Sequence, residues 1–197
     1  MIRLIIPLLC CTTLLLLTTT TAHAQSNNSK QEINVGMGLF PARAVGPDSE
    51  PFEFTDDNKY YTADEKYSPS GFVQYMYHLK KWIAIGSYIG YYHYSQDMYH
   101  NPNNEFYSRC RSDHFFILPT VRFTYYHSAI VRLYSEASVG ASIYNKKDFG
   151  KPKYKIGCES TGQLNFFGIS VGKKLYGFTT VGIGEIGVIN GGIGYRF

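Results

Sequence analysis

The sequence predicts an all-β chain: a closed, antiparallel, up-and-down transmembrane β-barrel of about eight strands, preceded by a cleaved leader. Three observations predict it. The first residues are laid out as an export signal, and the remainder alternates with a period of two between apolar residues and small or polar ones. Long and short connections then take turns between the alternating segments.

The leader comes first. Arg3 supplies positive charge, residues 4–17 are almost wholly apolar, and Ala22-His23-Ala24 is a small-x-small cleavage site before Gln25. The apolar run is shorter than the roughly 20 residues that span a bilayer, so cleavage is expected and not anchoring. Lipidation at Cys10 or Cys11 is disfavoured by the large Leu9 and by so short a preceding segment. The expected organisation is a signal peptide over 1–24 and one barrel domain over 25–197. Without Arg3, 18 basic residues face 15 acidic ones, and no run of Lys or Arg forms a basic stripe. That balance points away from nucleic acid as a partner. With 18 Tyr and 13 Phe but only 17% charged residues, the chain is poorly supplied for a water-facing exterior.

The strands follow in order. Ile33, Val35, Met37 and Leu39 oppose Asn34, Gly36 and Gly38. Val73, Tyr75, Tyr77 and Leu79 oppose Ser70, Gln74 and His78. Ile83, Ile85, Ile89 and Tyr91 oppose Ala84, Gly86, Tyr88 and Gly90. Phe115, Ile117, Val121, Phe123 and Tyr125 oppose His114, Thr120, Arg122 and Thr124. Val131, Leu133, Ala137, Val139 and Ile143 oppose Arg132, Tyr134, Glu136 and Ser138. Phe167, Ile169 and Val171 oppose Gly168 and Ser170, Val181 and Ile183 oppose Thr180 and Gly182, and Ile193, Tyr195 and Phe197 oppose Gly194 and Arg196.

Charge decides which face is inside. Arg122, Arg132, Glu136 and Arg196 all lie on the face rich in Gly, Ser and Thr. A soluble barrel would carry many Lys and Glu on its polar face. Here that face suits a narrow, packed, polar interior, and the apolar face turns outward, where only lipid rewards it. Residues 41–68, 95–111 and 145–160 are long and polar, whereas the links at Lys80-Lys81, His127-Ser128 and Lys173-Lys174 are short. All long segments then fall at one end of the barrel, with a further short turn at Glu185-Ile186-Gly187. Outward residues are odd on both sides of each short link, so each hairpin needs an odd loop or a bulge. Trp82, Tyr77, Tyr125 and Tyr195 are placed at one membrane interface, and Tyr91, Tyr92 and Tyr94 at the other.

Several constellations bear on chemistry. Cys110 and Cys158 remain after cleavage, near the ends of two long segments on the same side. Export permits a disulfide between them, and that bridge is expected over two free thiols; they lack the further ligands of a metal site. Gly168-Ile169-Ser170-Val171-Gly172 matches G-x-S-x-G, but no His or Asp follows Ser170 and the segment alternates as a strand. Gly182-Ile183-Gly184-Glu185-Ile186-Gly187 fits G-x-G-x-x-G, with too little chain left for the helix that motif needs. Arg122, Arg132 and Glu136 are expected to form an ion network in the lumen, because charges in a narrow barrel must be paired. A three-residue link would put Arg122 opposite Tyr134. His78 and His114 point inward at opposite ends, too far apart for a shared metal. Asp56, Asp57, Asp64 and Glu65 make the first long segment acidic, as a solvated loop does. No motif calls for a cofactor.

The terminal run Gly191-Gly192-Ile193-Gly194-Tyr195-Arg196-Phe197 ends on an aromatic after alternating outward residues. It resembles the last strand of the small bacterial outer-membrane β-barrel family (outer membrane protein beta-barrel domain). The resemblance extends to the leader, the strand rhythm and the loop asymmetry. It implies residence in the cell outer membrane of a Gram-negative bacterium, with outer-membrane lipid around the wall. It also implies that Tyr195 and Phe197 carry a signal read by the barrel-insertion machinery. It implies no reaction.

The function expected is structural, or one of surface interaction, with an extracellular partner met through the long loops and no enzymatic role. Two rivals are an outer-membrane enzyme acting on lipid A or peptides and a narrow conduit for small apolar molecules. The first requires a Ser-His-acid cluster or an acid pair at the outer rim; His93 and His100 lie there, but no motif places a Ser with them. The second requires an apolar lumen.

Overall fold

The computed structural model describes residues 30–41, 60–100, 105–147 and 154–197. Their strands are β1 Gln31–Leu39, β2 Tyr60–Tyr67, β3 Ser70–Lys80, β4 Ile83–His100, β5 Glu105–His127, β6 Val131–Lys147, β7 Tyr154–Gly172, β8 Leu175–Gly184 and β9 Ile189–Arg196. β2 and β3 lie end to end along one edge of β4, with Tyr67 opposite Tyr94 and Gly71 opposite Tyr91. The break falls at Ser68-Pro69, where proline has no N–H for the ladder. Taken together they act as one stave, so the barrel has eight. β1 pairs with both β3 and β9 and so closes the cylinder. The expected eight-stranded antiparallel barrel is the fold observed. The leader over 1–24 and Asp56-Asp57 lie outside the described residues. Asp64 and Glu65 belong to β2.

The faces sort as the charges predict. Val139 is 74% exposed and Ile193 64%, and Ile89, Ile117, Ile183 and Phe115 also look outward. Arg122 is 3% exposed and Glu136 1%. Short hairpins at 81–82, 128–130 and 173–174 share one end with the start of β1 and with Phe197, called the base here; the opposite end is the rim.

Four departures from the expected pattern have local causes. First, Phe72, Met76, Phe116, Leu118 and Phe178 point inward, so the lumen is not uniformly polar. All of these but Met76 join Tyr88, Tyr92, Tyr176 and Ile186 in one packed cluster. Tyr92, expected in the rim girdle, is therefore an interior residue. Second, the parity rule is met in two ways. The β7–β8 hairpin closes with Gly172 opposite Tyr176, enclosing three residues. The β3–β4 and β5–β6 hairpins instead carry register shifts, at His78/Lys80 and Thr124/Tyr126. Third, the β5–β6 turn is wider than three residues, closing at His127 opposite Arg132, and with the one-residue shift at Tyr125 this makes Glu136, and not Tyr134, the partner of Arg122. Another at Asn165/Phe167 turns Phe166 and Phe167 both outward and switches the outward parity of β7 above it, to Leu164 and Ile156.

Fourth, much of what reads as loop is strand. The β4–β5 ladder continues to His100 opposite Glu105, and β6–β7 to Lys147 opposite Tyr154. Neither parity of the sequence is consistently apolar there, so alternation vanishes while pairing persists. Cross-strand contacts sustain it: Arg109 makes a two-point contact with Asp97, Nε to Oδ1 at 2.5 Å and Nη2 to Oδ2 at 2.8 Å. The wall is consequently uneven. β5 has 23 residues and β7 has 19, against 9, 10 and 8 for β1, β8 and β9.

Candidate functional site

Glu32 is the hub of the lumen at the base, and it is fully buried. It sits on β1 facing inward because its neighbour Ile33 faces out. Its Oε1 accepts from Arg132 Nη1 at 2.5 Å and Arg196 Nε at 2.8 Å, and its Oε2 from Arg122 Nη1 at 2.7 Å and Tyr176 Oη at 3.1 Å. His78 Nε2 lies 2.9 Å from Oε1, close enough for an ion pair but poorly aligned as a hydrogen bond. Glu136 forms the second node. It accepts from Arg122 Nε at 2.7 Å, Gln74 Nε2 at 3.0 Å, Tyr88 Oη at 2.6 Å and Asn165 Nδ2 at 2.9 Å.

The geometry saturates both carboxylates from several staves at once. Arg122 bridges the two nodes and also reaches Gln74 Oε1 at 3.0 Å, while its guanidinium lies 4.3 Å above the Tyr134 ring. Arg196 reaches Ser170 Oγ at 2.8 Å and stacks 3.6 Å from the Tyr176 ring. Glycines make room for those rings: a Cβ on Gly168 would come within 2.5 Å of Tyr134, and one on Gly194 within 2.4 Å of Tyr176. Of the expected trio, Arg122 and Glu136 meet directly, whereas Arg132 pairs with Glu32. Ser170, the serine of G-x-S-x-G, is a partner of Arg196 in this network.

The rim end of the lumen is stoppered by the β8–β9 turn. Glu185, Ile186 and Gly187 are all buried there, instead of projecting as a surface hairpin. Gln163 Oε1 accepts from Ile186 N at 2.9 Å, Gln163 Nε2 donates to Gly187 O at 2.9 Å, and Ser70 Oγ donates to Ile186 O at 2.5 Å. Gly187 takes φ +143°, a backbone that favours glycine. Glu185 accepts from Tyr92 Oη at 3.1 Å and Thr161 Oγ1 at 2.8 Å. His114 stacks on Tyr92 with centroids 4.7 Å apart and contacts Ser112 Oγ at 3.0 Å.

The exterior carries its own polar cluster where the apolar wall ends at the rim. Asp113 Oδ1 accepts from Tyr91 Oη at 2.6 Å and lies 2.9 Å from His93 Nδ1. Below it, an apolar depression of about 790 Å³ crosses the outer wall, lined by Tyr75, Ile85, Pro119, Val121, Ala137 and Val139 among others. Among the described residues, no group of three His, Cys, Asp or Glu is placed to hold a metal ion.

Cys158 is a free, exposed thiol, so the expected bridge to Cys110 is not formed. The register gives the reason. Cys158 lies opposite Ile143, which lies opposite Phe115, and Cys110 is five residues further along β5. Two strand spacings and that offset separate the backbones by roughly 15–20 Å, whereas a disulfide needs Cα atoms about 4.4–6.8 Å apart. The side chain of Cys110 lies outside the described residues.

No family model, curated protein or solved structure matches the chain. The likeness to small outer-membrane barrels therefore rests on the chain's own features. Tyr195 and Phe197 are outward at the base, their rings 6.2 Å apart, as that likeness implies for the tail.

Sequence reasoning missed the hub. Glu32 stands one residue ahead of the first alternating run, and its signal is that it is the one acidic residue between Gln31 and Leu39. Gln74 and Asn34, whose side chains share a 2.7 Å hydrogen bond, and Asn165 were visible only as polar inward positions.

Proposed function

We propose that this chain is an exported outer-membrane barrel whose sealed lumen makes it a structural or surface-interaction protein. The observation that carries the reading is the inverted exterior: exposed Ile, Val and Phe encircle a wall whose ionic groups are buried within. In water that arrangement exposes apolar area at about 25 cal/mol per Å² on every stave; in hydrocarbon it is the favoured one. In this reading the base faces the periplasm, with Trp82, Tyr77, Tyr125 and Tyr195 at its interface, and the tall strands β4 to β7 stand outside the cell. Tyr195 and Phe197 address the barrel-insertion machinery, and lipid and an extracellular partner contact the outer wall and the rim.

The nodes at Glu32 and Glu136 and the tucked turn at Glu185-Ile186-Gly187 support a closed lumen over a conduit. The test is fractionation of cells expressing the full chain, with gel migration compared before and after boiling. Recovery in the outer membrane with heat-dependent migration is expected; a soluble periplasmic product with unchanged migration overturns the reading. Planar-bilayer recordings of the purified protein are expected to show no steady conductance, and a persistent ohmic current would return the conduit reading.

A further inference from the structure

We propose that the outer wall at the rim holds an ester-hydrolase site, with Ser95 as nucleophile, His93 as base and Asp113 as positioning residue, acting on acyl esters of an anionic outer-leaflet lipid of the lipid A class. It goes beyond the sealed-barrel reading, but rests on that reading's orientation.

His93 on β4 and Asp113 on β5 meet on the outer face. Contact with Asp113 Oδ1 at 2.9 Å engages Nδ1 of His93, which leaves Nε2 as the nitrogen able to accept a proton. Tyr91 Oη fixes the same carboxylate oxygen from below. Both backbone groups of His93 are pinned at the β2–β3 break: Ser68 Oγ accepts from His93 N at 2.8 Å, and Ser68 N donates to His93 O at 2.9 Å. Ser95 follows two residues later, where strand alternation returns the side chain to the same face about 6.6 Å along. An imidazole and a hydroxymethyl group span that separation by rotamer choice, and such contacts commonly tighten only when substrate binds.

Two cations flank Ser95. It lies opposite Arg111 on β5 and opposite Lys66 on β2, both exposed. A phosphorylated headgroup meets complementary charge there. The site's depth selects the bond attacked. Tyr91 and Phe115 form the last large apolar pair below it, with rings 4.8 Å apart. His93 and Ser95 are two and four residues higher, roughly 5–10 Å above them for a tilted strand, where acyl chains join their headgroup. The apolar depression lower on β3 to β6 offers a seat for the chain itself.

The chemistry balances with water alone. Ser95 Oγ adds to the ester carbonyl as its proton passes to His93 Nε2. The tetrahedral adduct then breaks its bond to the sugar oxygen, which leaves with that proton. Water, deprotonated by His93, attacks the acyl-serine and releases the fatty acid, restoring Ser95.

The full mature protein, folded in phospholipid vesicles containing lipid A, tests this. Loss of one acyl chain from lipid A, read by mass spectrometry, is expected, as is a fluorophosphonate adduct at Ser95. Ser95→Ala and His93→Ala should each cut the rate at least 100-fold, while Ser160→Ala on β7 leaves it unchanged. Asp113→Asn should lower the rate on the order of 100-fold or more, with Asp113→Glu recovering part of it. Arg111→Ala should raise KM for lipid A and leave turnover of a neutral p-nitrophenyl ester intact. Heat-dependent migration of each variant certifies folding. Intact lipid A and no Ser95 adduct with folded wild type overturn the proposal. Ser95-dependent cleavage of the p-nitrophenyl ester with lipid A untouched overturns its substrate class.

Discussion

The lumen and the rim use the same chemistry, carboxylates set against bases, in opposite surroundings. Inside, Glu32 accepts from three arginines and a tyrosine, is approached by His78, and is fully buried. On the rim, Asp113 has Tyr91 and His93, and its side chain remains 40% exposed. In the lumen both oxygens of Glu32 and of Glu136 already have two donors each, so these carboxylates offer nothing to a third molecule and hold the staves together. Outside, His93 engages its carboxylate through one nitrogen, and that incompleteness is what a substrate or partner can use. Counting charged groups does not distinguish the two regions; saturation does.

Glu32→Ala should break this contrast most severely. It strands Arg122, Arg132 and Arg196 in a closed space, and removal of one partner from a buried ion set typically costs about 3–5 kcal/mol. Urea unfolding in vesicles, followed by tryptophan emission from Trp82, measures it. A loss below about 1 kcal/mol would mean that water reaches the network. Glu136→Leu should cost somewhat less, since Arg122 keeps Glu32; adding Arg122→Met should return part of the loss, because an apolar pair of matched volume tolerates burial better than a lone charge. Gly168→Val comes next. Its side chain would enter the Tyr134 ring, and overpacking of this kind costs about 1–3 kcal/mol.

Asp97→Asn should have the smallest effect. Arg109, hydrogen-bonded beside it, holds the Asp97 carboxyl below the usual range. A lowered carboxylate contributes at pH values above its unfolded value of about 3.9, and the contribution disappears as pH falls through the lower folded value. The pair stands on the rim extension and not in the barrel, so the unfolding midpoint should stay unchanged at neutral pH. Faster amide exchange over 97–109 is the expected sign in Asp97→Asn, and in wild type only below about pH 4.

Much of this was legible in the sequence because a wall between two media must alternate. Positions such as Ile89, Ile117 and Arg122 declare their side by their chemistry. Three things were not legible. The bulges at Tyr125 and Phe166 each place two aromatics outward in succession, and no residue type marks an inserted position, so the registers beyond them shift unseen. Inward Phe72 and Phe116 look like outward ones because an eight-stranded lumen needs large apolar filler as well as charge. The rim strands have no apolar face, so their pairing is invisible to a pattern of hydrophobicity. The site residues divide along the same line. Arg132 and Glu136 announced themselves as charges on a small-residue face, whereas the alliance of His93 with Asp113 depends on a register set twenty residues away.

The hub also joins the first and last staves of the barrel. Glu32 belongs to the first stave and Arg196 to the last, 164 residues apart, and their contact lies beside the β1–β9 seam. A ribosome must reach β9 before this clasp can fasten, and until then the acid lacks one of its cations and two ladder edges stay raw. Closing the cylinder and neutralising its interior are thus a single event. Contacts of such long range form slowly, so the half-made molecule has reason to be chaperoned until its last stave arrives.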